Sequence, residues 1–287
     1  MIDPGLIFAS IIDGLAFAML LFLIASGFSI IFGLLGILNF AHGAFFMVGA
    51  YVAVTLFEYS NNFAVTLVGT ALFGFVLGVA IEFSTLRRIH GNPIAQIMLT
   101  LGYLLIFSQL VLIVWGRISK IFYPIGLTGS TIVLGIRVPV YRGFLIFFGL
   151  VIAASTYLFL TRTRLGTIVR AGTEDAEMVE ALGINVKRAF TLTFGLGTAL
   201  AAIGGAAAVP WLAATPEMGT TWLFISLVVT VVGGLGSFKG SFYGSLLIGV
   251  LHQLSEYFFP QLTFVIDFVT MTAVLLVRPE GLFGERK

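Results

Sequence analysis

Few side chains in this sequence are equipped for chemistry, and most of those lie inside apolar runs. Asn39 and His42 interrupt one such run in the stretch NFAHG. Both can donate a hydrogen bond to a carboxylate, and both can accept one from an ammonium. They suit either the lining of a polar path or the tying-up of backbone groups freed by a helix break. Gln96 and Thr100 are four residues apart and would share a helix face, where hydrogen bonding between helices is expected. Glu82 stands about one turn before Arg87 and Arg88, which suggests an interfacial ion pair. His252 and Glu256 are four apart and could pair with each other, and no third ligand at metal spacing accompanies them, so no metal site is expected. Asp267 has no cation near it in sequence and is the one residue that suits proton coupling. No nucleophile–base pair or paired acids stand at a useful spacing, so no catalytic residue is assigned and an enzyme is disfavoured. Cysteine is absent, which removes thiolate ligands, disulfides and cysteine nucleophiles.

The elements that must hold these residues are membrane helices. Hydrophobic residues make up 59% of 287 positions and charged residues 10%, and mean hydropathy is +1.10. Ordinary soluble domains carry about 25% charged residues. Too few are present to cover a water-facing surface, so much of the surface must face lipid. The 34 glycines fit helices packed closely in a bilayer. A net charge of +2 suits basic loops at a membrane and gives no reason to expect nucleic acid. The first apolar run follows Asp3 and is too long for a signal-peptide core, so it is expected to be a retained span. No GxxxxGK[ST] phosphate loop occurs, so any nucleotide-driven step must be powered by a partner.

Nine segments are candidate spans: 6–33, 43–58, 62–84, 94–115, 143–161, 189–212, 220–236, 240–259 and 262–277. The predicted fold is an all-α, polytopic bundle of about eight to nine spans, a single transmembrane domain over 1–287. Segments 43–58 and 220–236 are short, which suits tilted or re-entrant helices. Lys and Arg set the orientation. Arg87 and Arg88, Arg162 to Arg188, Lys239, and Arg278 to Lys287 fall in loops that can all face the cytoplasm. Arg117, Lys120, Arg137 and Arg142 then lie outside, in a 116–142 loop whose Gly, Pro and β-formers predict a hairpin or irregular lid. This arrangement puts the N-terminus outside and the C-terminus inside.

GLLGILNFAHGAFFMVGAY (33–51) echoes VVGGLGSFKGSFYGSLLIGV (231–250). Two readings fit: a parallel repeat, or the shared composition of Gly-rich membrane helices. Glycine-interrupted segments in corresponding positions point to a transport path. Short or broken helices are expected near 37–43 and 236–241. The pathway candidates are Asn39, Phe40, His42 and Gly43 in the first break, Gly234 and Gly236 in the second, with Gln96 and Thr100.

The loop 162–188 carries a second candidate site. Thr173 is the expected N-cap of a short helix, with Glu174, Asp175 and Glu177 in its first turn on the positive dipole end. Ala176, Met178, Val179, Ala181 and Leu182 supply an apolar stripe, and Gly183 supplies the stop. Such a helix needs a partner groove or the lipid headgroup layer. The acidic first turn favours a protein partner over an anionic membrane.

RAGTEDAEMVEALGIN in this loop resembles the cytoplasmic loop of permeases from branched-chain (hydrophobic) amino acid ABC importers. NFAHG, TLGYLLIFSQL (100–110), VVGGLGSFKGSFYGSLLIGVL (231–251) and the tail LLVRPEGLFGERK (275–287) are similar to that family too, in order and over nearly the whole chain. Length and short N-terminus look like the shorter of its two permease types. The resemblance implies a bacterial inner-membrane assembly: a second permease, two cytoplasmic ATPases docked on residues 173–183, and a periplasmic binding protein. It implies that this chain holds no cofactor, with ATP and Mg used by the partners. It implies branched-chain or other hydrophobic amino acids as cargo, with related solutes left open. The competing reading is a self-sufficient ion-coupled transporter or channel using Asp267 and His42.

Overall fold

The computed structural model describes residues 4–36, 38–133, 135–174, 176–183 and 185–284, and the side chains of 4, 34, 35, 133 and 173–177 lie outside that description. Apolar runs of membrane length become α1 (Pro4–Leu35), α2 (His42–Ser60), α3 (Phe63–Ser84), α4 (Pro93–Trp115), α5 (Val140–Arg162), α8 (Val186–Leu212), α9 (Met218–Gly233), α10 (Phe238–Phe258) and α11 (Thr263–Val277). Two short helices, α6 (Arg164–Glu174) and α7 (Ala176–Ala181), join α5 to α8. The starts are chemically marked: Asn62, Asn92, Asn185 and Ser237 each accept backbone N–H bonds as N-caps of α3, α4, α8 and α10.

Between α4 and α5 the 116–142 segment carries the expected hairpin, β1 (Ser130–Val133) paired antiparallel with β2 (Ile136–Pro139). We call its side of the bundle the cap face, and the side holding the chain after α11 the tail face. Ala214, between α8 and α9, bridges Lys120 at the cap face.

All nine predicted segments are helical, as expected for a polytopic bundle. Among the described residues seven helices are long and apolar enough to cross singly, and α9 with α10 qualifies only as a pair bent by 115°. At 16 residues α9 is about 24 Å long, short of a ~30 Å hydrocarbon core. Contacts show how the pair lies. Its tip meets the end of α1, Gly236 against Gly33, and its two far ends both lie at the cap face. The α9 end follows Ala214, and at the α10 end His252 stacks on Phe17, which also meets Trp211. The pair is therefore a bent hairpin that enters from the cap face and turns at the tail-face end of α1. It preserves the predicted parity, with the α1 start on one face and the tail on the other.

Burial divides the helices. The most apolar stretches of α1 and α8 are 89% and 83% enclosed, whereas those of α4, α5 and α11 are 17%, 11% and 6% enclosed. The core runs along α1, α2, α8 and α9 through residues such as Leu20, Phe46, Tyr51, Ala206 and Val229. Outside it, Ile113, Leu105, Phe147 and Leu276 present an apolar face of lipid-facing type.

Candidate translocation site and coupling segment

The first helix break lies inside the bundle. After Gly36 the chain runs back along α1, and His42 opens α2 with its Nε2 2.9 Å from the carbonyl of Ile24. A carbonyl can only accept, so Nε2 carries the proton and Nδ1 keeps a lone pair. Ile24 is nine residues before Gly33 on α1, or about 13 Å from the tail end, so α2 begins well within the membrane. Asn39 shapes the turn. Its Oδ1 accepts from the amide of Ala41 at 3.1 Å, and its carbonyl accepts from the amide of His42 at 3.1 Å. Asn39 and His42 are 1% and 0% exposed, and Asn39 Nδ2 and His42 Nδ1 have no hydrogen-bond partner among the described residues. Phe40 packs half-buried against a cluster of Phe28, Leu104 and Leu223. Gly43 must be glycine, because a β-carbon would collide with the Gly219 carbonyl and Leu223.

Asn39, Phe40, His42 and Gly43 thus come together, and the other pathway candidates lie elsewhere. Gln96 and Thr100 do not bridge helices as expected. Gln96 donates to the Ile89 carbonyl at 3.2 Å, and Thr100 bonds back to Gln96 and Ile97 of its own helix. The nearest acceptors are the helix's own carbonyls, which a Thr hydroxyl readily takes in an apolar setting. Gly234 and Gly236 form the α9–α10 tip, with φ of +106° and +81°.

At the tail face the 162–188 segment folds differently from its expected form. Thr173 and Glu174 end α6 instead of opening a helix, and Asp175 lies outside the described residues. The helix starts ten residues earlier, where the Thr163 hydroxyl accepts from the amide of Gly166 at 3.0 Å. Leu165, Ile168 and Val169 supply an i, i+3, i+4 stripe that draws this stretch into a helix. Val169 is buried with Ile30, Leu160 and Leu200. Ala176 opens α7, which also contains Glu177, Met178 and Ala181. Gly183, at φ +79°, follows α7, and Met178 and Leu182 are 60% and 73% exposed.

Beside this segment Glu82 is fully buried and accepts from the Thr191 hydroxyl near the start of α8. The expected ion pair is made by Arg87, with Nε 4.0 Å from Glu82, while Arg88 stays exposed. His90 Nε2 approaches the same carboxylate to 3.8 Å, but burial pushes its imidazole below its usual range. His90 is therefore uncharged at neutral pH. Thr191 lies 109 residues from Glu82, so sequence spacing offered no sign of it.

At the cap face His252 does not pair with Glu256. Its Nδ1 lies 2.8 Å from Asp267, and Glu256 accepts from Gln253 instead. Asp267 has no cation near it in sequence, and the α10–α11 turn brings His252 to it across a gap of 15 residues. Nearby, Arg142 donates to Asp13 at 2.8 Å and lies over the Trp211 ring at 3.3 Å.

The chain has relatives over nearly its full length. It is 29% identical over 300 residues to the high-affinity branched-chain amino acid transport system permease protein BraD of Pseudomonas aeruginosa, covering 96% of this chain and 94% of the relative. It is 26% identical to LivH of Salmonella typhimurium, a protein of the same description, over 91% of this chain and 90% of the relative. The probable branched-chain amino acid transport permease LivM of Methanocaldococcus jannaschii matches over 51% of this chain and 48% of its own length, at 28% identity. The family model described as branched-chain amino acid transport system / permease component matches residues 10–275. A multi-pass bundle with a broken helix in its centre is thus a membrane permease, and the chain belongs to the permease-component family of branched-chain amino acid transport systems.

Proposed function

We propose that this chain forms half of the translocation pathway of an ATP-driven importer for branched-chain or other hydrophobic amino acids in the bacterial inner membrane. The observation that carries this is its full-length match to permeases whose names state that cargo. A second, homologous permease completes the pathway, and half-length likeness to LivM supports such a pairing within one family. Two cytoplasmic ATPases bind ATP and Mg, and this chain binds no cofactor and hydrolyses nothing. The tail face is cytoplasmic, with the basic loops and the C-terminus. The cap face receives a periplasmic binding protein.

The ATPases dock on residues 173–183. The exposed Met178 and Leu182 are the apolar anchors, and Thr173, Glu174, Asp175, Ala176, Glu177, Ala181 and Gly183 form the rest of the docking element. Motion of α6 and α7 passes directly into α5 and α8, the helices they join. At the base of α8 the Glu82–Thr191 bond carries it to α3. Asn39, Phe40, His42 and Gly43 are the polar section of the pathway; Gln96, Thr100, Gly234 and Gly236 support its walls.

Proteoliposomes test this reading. Leucine uptake is expected only with all subunits and ATP, blocked by vanadate and indifferent to uncoupler. Uptake by the purified chain alone under an ion gradient would overturn it and favour the ion-coupled alternative. Leu182→Glu is expected to cut ATPase co-purification at least about tenfold, the effect of burying a charge at an interface anchor. Charge reversal at Glu174 and Glu177 is expected to weaken it as well, with membrane insertion intact.

A further inference from the structure

We infer that the buried N-terminus of α2 is the site that recognises the charged backbone end of the amino acid in transit. This rests on the functional reading above and assigns the chemistry within it.

The argument begins with unmet hydrogen-bonding capacity. The first turn of any helix leaves amide donors without intrahelical acceptors. In α2 the amide of His42 finds the Asn39 carbonyl and that of Phe45 finds the Ala41 carbonyl. The amides of Gly43 and Ala44 find no acceptor among the described residues, and both residues are buried. Ala41, the cap residue, has no side chain able to serve them. Buried donors of this kind are costly in an apolar interior.

Independent side-chain observations point to a ligand at the same place. Asn39 Oδ1 is fixed on the amide of Ala41, which holds the unpartnered Nδ2 of the same group beside the first turn. This adds a third free donor to the two amides. The helix dipole gives that end a partial positive charge. Three donors and a positive helix end form a receptor for a carboxylate.

His42 supplies the complementary half. Its Nε2 is engaged by Ile24, leaving the unpartnered Nδ1 lone pair to accept from an ammonium. Donors for a carboxylate and an acceptor for an ammonium therefore lie within one helical turn, as a free α-amino acid requires. Phe28, Phe40 and Leu223 border the turn and offer apolar surface to an aliphatic side chain. The site is closed here, with Asn39 and His42 enclosed, so substrate enters only in another state of the transport cycle.

The test turns on the sign of a charge. In proteoliposomes holding the complete assembly, L-leucine uptake is measured for wild type, Asn39→Leu and Asn39→Asp, with subunit co-purification as the control. Asn39→Asp keeps the oxygen that accepts from Ala41 and replaces the free donor with an acceptor. A merely structural Asn39 would make Asp the milder change. Carboxylate recognition makes it the worse one: uptake is expected to fall about tenfold in Asn39→Leu and at least tenfold further in Asn39→Asp. Asn39→Asp equal to or better than Asn39→Leu, with wild-type leucine uptake intact, would overturn this site alone. A wild-type assembly that carries only uncharged solutes would remove the functional reading as well. Equilibrium binding to the wild-type assembly without binding protein adds a readout free of folding defects. Leucine is expected to bind at least about tenfold more tightly than 3-methylbutylamine or 4-methylpentanoate, each of which lacks one charged group. Equal binding of either analogue, or no saturable leucine binding, would contradict the proposal.

Discussion

The two helix breaks at 36–41 and 234–237 look alike in sequence and differ in how deeply their unmet polar groups are buried. At the α9–α10 tip the amide of Gly234 reaches the carbonyls of Thr230 and Val231, and Ser237 caps α10 by accepting from Gly240 at 3.0 Å. The tail then seals the turn: the amides of Leu282 and Phe283 bond the carbonyls of Val232 and Gly233 at 2.8 and 2.9 Å. The amides of Phe238 and Lys239 stay free there, but on a half-buried and an exposed residue, whereas the first break, deeper in the bundle, leaves two buried amides, an Asn donor and a His acceptor without partners among the described residues. A break whose few free groups lie at the surface is a hinge or a joint. An unsatisfied and buried one is a place for a ligand.

Three substitutions sharpen this contrast. The largest effect is expected at Gly234, whose φ of +106° places it where a side chain is strained and where its β-carbon would meet Gly284. Gly234→Val is expected to cost about 3 kcal/mol or more, from backbone strain and overpacking together. It should appear as a large fall in melting temperature of the solubilised protein, whether or not leucine is present. Phe40→Ala in the first break is expected to do the reverse: a KM for leucine raised about tenfold, the range for apolar pocket contacts, with a small change in melting temperature. The smallest effect is at Ser237→Ala, which removes one cap for about 1 kcal/mol and should leave leucine kinetics unchanged. A kinetic effect at Ser237 or Gly234 that exceeds the one at Phe40 would dissolve the distinction.

What the sequence made legible follows from range. Runs of membrane length announce their own helices, because some 20 apolar residues have few other solutions. Gly135 and the β-formers around it gave the hairpin in the same local way, its φ of +83° lying at the turn. The breaks at 36–41 and 234–237 were visible through their glycines and polar residues. Partnerships across distance were not. His252 offered Glu256 four residues on, and only the α10–α11 turn reveals Asp267 as its partner. Thr173 is a good cap residue overruled by the amphipathic stripe of Leu165, Ile168 and Val169, which starts the helix at Arg164. The α9–α10 bend was hidden for a related reason. Composition marks α9 as apolar, but the 115° bend that makes it half of a hairpin is a tertiary feature.

Amide hydrogen exchange on the complete, ATP-free wild-type assembly, with and without L-leucine, addresses the central claim most directly. Leucine is expected to slow exchange at Gly43 and Ala44 by supplying the acceptor they lack, and to leave 232–240 unchanged. Protection gained at the α9–α10 tip with none at the start of α2 would contradict the account.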